Sequence, residues 1–295
     1  MNDAQSGLRL RQEAEKRAAN LPPLMVAAER VAAVVAQGLH GRRQVGAGET
    51  FWEFRPYQAG DAAGRVDWRQ SARSQRLYVR ENEWEAAQSV WLWCDRSPSM
   101  AYRSHASVIE KADRAALLTM ALAVLLVRGG EQVALLGEDE RPASGRSVLE
   151  RMAARLVSDQ PNDTSLPPRV GLARHATVVI VSDLLAPYVE IDSLIRFFVG
   201  CGVSGYIVQV LDPAEHSFPF TGRVRFEGLE DEGGLTVGRS ESLRPGYAIR
   251  FGDRQRRLAD LSRTAGWHFT VHHTDSPVAP LLLALYGALS AQVLD

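Results

Sequence analysis

The sequence predicts an α/β domain with a mainly parallel sheet and helices on both faces, preceded by an N-terminal helix and a β-rich extension. Three observations carry this. From residue 89 onward, short apolar runs alternate with longer stretches of helical periodicity, the pattern of repeated strand–helix units. The first run, Val90-Trp91-Leu92-Trp93-Cys94, is apolar throughout, as a strand covered on both faces must be. The chain has 295 residues, 45% of them hydrophobic, enough to bury a sizeable core.

The elements run in order from the N-terminus. Residues 1–20 are charged and expected to be only partly ordered. Pro22-Pro23 then opens a helix. Leu24, Ala27, Ala28, Val31, Val34 and Val35 fall on one face of it, and Gly38 and Gly41 stop it. From Gly41 to about Gln88 the pattern turns to short strands and loops, punctuated by Gly46, Gly48, Pro56, Gly60 and Gly64. Trp52, Phe54, Tyr57, Trp68, Tyr78 and Trp84 are interleaved with them. Residues 21–88 thus form a helix and β-rich extension, and 89–295 the main domain. Strands are predicted at 89–94, 132–136, 177–182, 205–211 and 267–273, and helices at 106–128, 146–157, 189–199, 247–264 and 279–293. Gly222, Gly228, Gly233-Gly234 and Gly238 mark a hairpin insertion at about 218–240.

Composition excludes several roles. With 34 basic and 35 acidic residues there is no global field to attract nucleic acid or anionic lipid. The extension, residues 41–88, balances eight Arg against seven Asp or Glu, so its aromatics and arginines lack the electrostatic footprint of a nucleic-acid surface. Lysine occurs only at Lys16 and Lys111. Cys94 and Cys201 lie in or beside apolar segments, read as core residues rather than a disulfide or zinc site. The polar start lacks the apolar centre of a signal peptide, and no apolar run approaches the roughly 20 residues of a membrane span. The expectation is a soluble, cytoplasmic protein without membrane insertion.

The candidate site begins where the first strand ends. Asp95-Arg96-Ser97-Pro98-Ser99 puts a carboxylate and two hydroxyls at the C-terminal end of a strand, where open α/β sheets bind ligands. Asp-x-Ser-x-Ser there is the opening of a metal-ion-dependent adhesion site. Such a site takes hydroxyls as direct ligands and holds aspartates mostly through water, which suits Mg²⁺, with Mn²⁺ or Ca²⁺ as substitutes. Asp183, closing the run Thr177–Ser182, fits the second acidic position. In the polar loop between, Thr164 fits the third hydroxyl and Ser165 is its nearest competitor. The bland alternative is that Ser97 or Ser99 merely caps the next helix.

Tyr57-Gln58-Ala59-Gly60-Asp61, then Arg65-Val66-Asp67-Trp68-Arg69-Gln70-Ser71-Ala72-Arg73, then Leu77-Tyr78-Val79-Arg80-Glu81, resembles the signature of the bacterial domain-of-unknown-function family 58. The similarity runs over roughly residues 30 to 290. It implies a von Willebrand factor A-like (Rossmann-like) domain and a link to MoxR-type AAA+ ATPases. Those systems are thought to act as chaperones that mature or assemble a client protein. Two signature positions depart from the family: Ala62 replaces an acidic residue and Gly64 an arginine. Within the signature, Asp61, Asp67, Trp68 and Arg73 are candidates for a partner surface. They equally suit a structural Arg–Asp pairing among the aromatics, since buried charge must be paired.

Other chemistry is less well supported. A phosphatase using Asp95 as nucleophile needs a carboxylate two residues on as general acid, and Ser97 stands there. Gly202-Val203-Ser204-Gly205 is one residue short of a nucleophile elbow, and no phosphate-binding Gly-x-x-x-x-Gly-Lys-Ser/Thr loop occurs. Gly46-Ala47-Gly48 is only a fragment of a dinucleotide loop. His268, His272 and His273 lie on the last strand, the first two sharing a face, and lack the carboxylates of a metal site. The expectation is a non-enzymatic, divalent-metal-dependent protein-binding module, a partner or adaptor of such an ATPase and its client. The alternatives are a metal-assisted phosphohydrolase using Asp95, or a scaffold with an empty site.

Overall fold

In the computed structural model the residues described here are 23–40, 51–57, 66–73, 76–82, 87–158, 164–228 and 233–291. The elements run α1 (Pro23–His40), β1 (Phe51–Pro56), α2 (Trp68–Ser71), β2 (Tyr78–Asn82), β3 (Ser89–Cys94), α3 (Lys111–Arg128), β4 (Gln132–Leu135), α4 (Arg146–Leu156) and β5 (Thr177–Ser182). They continue with α5 (Tyr188–Gly200), β6 (Ser204–Leu211), α6 (Pro213–Ser217), β7 (Val224–Glu227), β8 (Gly234–Val237), α7 (Arg244–Thr264), β9 (His268–His273) and α8 (Val278–Ala291). Two compact units result, residues 1–41 with 88–295, and residues 42–87.

In the larger unit the five apolar runs pair as a wholly parallel sheet of order β4-β3-β5-β6-β9. This is a Rossmann-like α/β arrangement. Alternation along each strand sends neighbours to opposite faces. Val90, Leu92 and Cys94 join Val179, Val181, Val208 and Val210 in a core covered by α1, α3, α4 and α8. Trp91 and Trp93 join Val178, Ile180 and Ile207 on the opposite face, covered by α5 and α7. Helix α3 is buried almost all round because it lies between the sheet and other helices. Helix α1, expected from its sequence position to belong with the extension, instead buries Met25, Ala28, Ala32 and Val35 in this same core.

Gly205, part of the near-elbow motif, has a packing role. A Cβ there would lie 2.0 Å from the Trp267 ring. Gly202 supplies the left-handed turn at φ 73° that enters β6. Strands β7 and β8 form an antiparallel hairpin in the insertion.

In the smaller unit β1 pairs antiparallel with β2, and Val66 bridges to Val79. Asp67 caps α2, its Oδ1 accepting the amides of Arg69 at 3.0 Å and Gln70 at 2.9 Å. Its carboxylate thus serves the short helix rather than an arginine clamp. Trp68 is 65% exposed, Arg73 is exposed too, and Asp61 lies outside the described residues.

Candidate metal centre at the sheet rim

The strand order reverses between β3 and β5: the chain crosses to β4 on one side of β3, then returns to β5 on the other. Such a switch point opens a crevice at the carboxyl ends of the strands. Asp95 and Asp183 are the residues immediately after these two strands, and both are fully buried. The Asp95 amide donates to the Val181 carbonyl at 2.9 Å, extending the strand pairing one residue into the site.

The Asp-x-Ser-x-Ser turn is built around Asp95. Its Oδ1 accepts the Ser97 amide at 2.8 Å and its Oδ2 the Ser182 hydroxyl at 2.6 Å. Arg96, the residue between, faces outward, bridging Glu138 at 2.9 Å and the Arg155 carbonyl at 2.6 Å. A short 3₁₀ turn over Pro98–Met100 then brings the hydroxyls of Ser97 and Ser99 within 3.2 Å of each other. The Ser99 hydroxyl donates to Asp183 Oδ2 at 2.8 Å. Neither serine side chain is exposed, and neither caps a helix with its hydroxyl.

Asp183 sits in a tight turn. Leu184 is buried yet adopts a left-handed φ of 57°, a conformation that costs of order 1–2 kcal/mol for a residue with a Cβ. The surroundings hold it there. Ser182 Oγ accepts the Leu184 amide at 2.9 Å, Asp183 Oδ1 accepts the Leu185 amide at 3.1 Å, and Gln209 Nε2 donates to the Asp183 carbonyl at 3.0 Å. Arg254 of α7 donates to the carbonyls of Leu184 and Ala186.

The structure thus brings Asp95, Ser97, Ser99 and Asp183 together. It does not bring Thr164 into that hydrogen-bonded set. Thr164 is exposed, and its hydroxyl donates to the Leu166 carbonyl at 2.8 Å, closing a local turn. Residues 159–163 of the same loop lie outside the described residues.

Sequence reasoning missed the buried cation. Lys111, the first residue of α3, is 1% exposed. Its ammonium donates to Asp183 Oδ2 and to Glu215 Oε1, each at 2.8 Å, and stands 5.7 Å from the Tyr102 ring centroid. Burial works against this ammonium, but the two carboxylates outweigh it and hold its pKa above the ordinary lysine value. Glu215 belongs to a capping box on α6. Its Oε2 accepts the Asp212 amide at 2.7 Å, while Asp212 accepts the amides of Ala214 at 2.8 Å and Ser104 at 2.9 Å. A signal for Lys111 was present: lysine occurs at only two positions in this arginine-rich chain.

The two strand-end carboxylates are unequally compensated. Asp183 shares the Lys111 ammonium with Glu215 and lies within the field of Arg254, whereas among the described residues no basic side chain is hydrogen-bonded to Asp95. Burial, and then the nearby Asp183, push the Asp95 carboxyl up to about 6 despite the hydrogen bonds from Ser182 and Ser97. Two hydroxyls and two carboxylates form an all-oxygen donor set in which Asp95 has no basic partner among the described residues, and such a set fits a small hard cation.

The histidines of β9 are not gathered as metal ligands among the described residues. His268 stacks on Tyr206 with centroids 4.8 Å apart, His272 is buried, and His273 meets His216 at 5.3 Å. Among the described residues no group of three or more His, Cys, Asp or Glu side chains is placed to hold a metal.

Residues 53–257 match the family described as "Protein of unknown function DUF58". The chain belongs to this family. Its structure is similar to that of the conserved hypothetical protein BatB from Bacteroides thetaiotaomicron, at 13% identity and a TM-score of 0.40, over 70% of this chain and 100% of that one. It is also similar to an uncharacterized membrane spanning protein from Vibrio fischeri, at 14% identity and a TM-score of 0.20, over 70% of this chain and 99% of that one. No curated protein matches the chain. Among the described residues no helix is long and apolar enough to cross a membrane.

Proposed function

We propose that this chain is a divalent-metal-dependent protein-binding module of the von Willebrand factor A type. In this reading it carries no catalytic turnover of its own. It serves as the partner or adaptor of a MoxR-type AAA+ ATPase in a chaperone-like maturation system, working in the cytoplasm on a client protein. Ser97 and Ser99 would hold Mg²⁺ through their hydroxyls. Asp95 and Asp183 would hold its waters and orient those hydroxyls. When bound, the ion would supply an incompletely neutralised positive charge for a carboxylate of the partner.

The observation that carries the reading is Asp95: a fully buried carboxylate at a switch point, beside a second carboxylate, with two hydroxyls converging on the pair. The segments that follow both strands carry exposed apolar side chains. Val108, in the loop after β3, is 92% exposed, and Leu185 and Val189, after β5, are 48% and 75% exposed.

Lys111 on Asp183 favours a second reading, a scaffold in which the ammonium stands where a metal's charge would. Isothermal titration with Mg²⁺ separates the two. The binding module gives saturable binding that the double substitution Ser97→Ala, Ser99→Ala abolishes, and it captures the ATPase in Mg²⁺ but not in EDTA. Absence of saturable Mg²⁺ binding leaves only the scaffold.

A further inference from the structure

We propose that Lys111 is a tethered cation that competes with the divalent ion for Asp183 and so sets the protein's metal affinity, an inference that rests on the metal-binding reading above.

The ammonium cannot withdraw far. The Lys111 main chain opens α3 and its amide donates to the Tyr102 carbonyl at 3.1 Å. Its stem is buried along with its charge. Asp183 is correspondingly committed. Oδ2 accepts both the ammonium and the Ser99 hydroxyl, and Oδ1 accepts the Leu185 amide. A divalent ion taking up the Ser99 oxygen must draw on Asp183 while a positive charge sits on that same carboxylate. Two cations sharing one buried carboxylate repel strongly, because the surroundings screen them poorly.

Glu215 is the counterweight. It takes another of the ammonium's three donors, drawing it away from Asp183. Glu215 is fixed in turn by the Asp212 amide, and its main-chain carbonyl accepts the Tyr247 hydroxyl of α7. The division of Lys111 between its two carboxylates therefore depends on α6, the element that leads into the β7–β8 hairpin. Lysine suits this position better than arginine would. A compact ammonium serves two single oxygens, whereas a guanidinium fork is built for bidentate pairing.

Mg²⁺ titration calorimetry and thermal melting of the full chain test this, with Lys111→Met and Glu215→Gln beside the wild type. Lys111→Met is expected to bind Mg²⁺ at least about tenfold tighter than wild type. Its melting temperature falls in EDTA and recovers in Mg²⁺ by more than wild type gains. Glu215→Gln, which removes the charge that draws Lys111 away from Asp183, is expected to weaken Mg²⁺ binding several-fold. Equal Mg²⁺ affinity in wild type and Lys111→Met overturns the competition while leaving the metal site standing. No saturable Mg²⁺ binding in any of the three proteins overturns the metal site and the competition with it. Should Lys111→Met fail to fold, Glu215→Gln decides, and an unchanged affinity there overturns the proposal.

Discussion

Asp95 and Asp183 are the same residue in nearly the same place, and they differ in what faces them. Each lies just past a strand of one parallel pair, with Cys94 in register with Val181, and each is fully buried. Asp183 accepts an ammonium, a hydroxyl and an amide. Asp95 accepts a hydroxyl and an amide and shares the site with the charge of Asp183. Hydrogen bonds satisfy both carboxylates geometrically, but among the described residues only Asp183 is paired with a basic side chain. Burial alone therefore does not distinguish the two carboxylates. The counter-ion does, and under the proposed function the carboxylate without one is where an external cation has most to gain.

The difference predicts opposite signs for the two substitutions. Asp183→Ala should show the largest effect, a loss of about 3–5 kcal/mol, because it leaves a buried ammonium short of a partner. Urea unfolding in EDTA measures it, and a loss under about 1 kcal/mol would show that the ion pair is not what anchors this turn.

Asp95→Asn should instead stabilise the metal-free protein by about 1–3 kcal/mol at pH 8. The folded-state pKa is raised from 3.8 to about 6, so the folded protein retains a proton that the unfolded chain has released. The stability that this carboxyl contributes is fully present below pH 3.8 and is lost as pH rises through about 6. The advantage of the Asn variant should therefore grow between those values and level off above them. An advantage independent of pH, or a destabilised variant at pH 8 in EDTA, would place the mismatch elsewhere.

The sheet and half of the site were legible because both rest on local rules. A run such as Thr177-Val178-Val179-Ile180-Val181 has no polar face to offer water, so the first polar residues beyond it must emerge at the rim. The placement of Asp95, Ser97, Ser99 and Asp183 at the rim follows from that rule. The other half depends on contacts between distant segments. The rarity of lysine singles out Lys111, but its burial is not a local property, since its partners lie 72 and 104 residues away. The helix itself starts at Lys111 rather than 106, because the Ser107 hydroxyl bonds the Ile109 carbonyl and the Asp212 carboxylate holds the Ser104 amide. Ser182 read as one more strand residue, yet its hydroxyl joins Asp95 to the Leu184 turn. The left-handed Leu184 could not be foreseen, since leucine has no preference for that conformation.

Two hydroxyls give the finest test of the contrast. Ser99 lies between the two carboxylate environments, bonded to Asp183 and touching Ser97, while Thr164 is exposed and bonded to its own loop. Ser99→Ala removes a buried bond to a charged group and should cost about 1–2 kcal/mol, together with measurable Mg²⁺ binding. Thr164→Ala should change stability by less than about 0.5 kcal/mol and leave Mg²⁺ affinity where it was, because its hydroxyl serves only the Leu166 carbonyl. If Thr164→Ala weakens Mg²⁺ binding as much as Ser99→Ala does, the 164–166 turn must open and deliver its hydroxyl when metal binds. Asp95 and the three side chains gathered with it would then be an incomplete set.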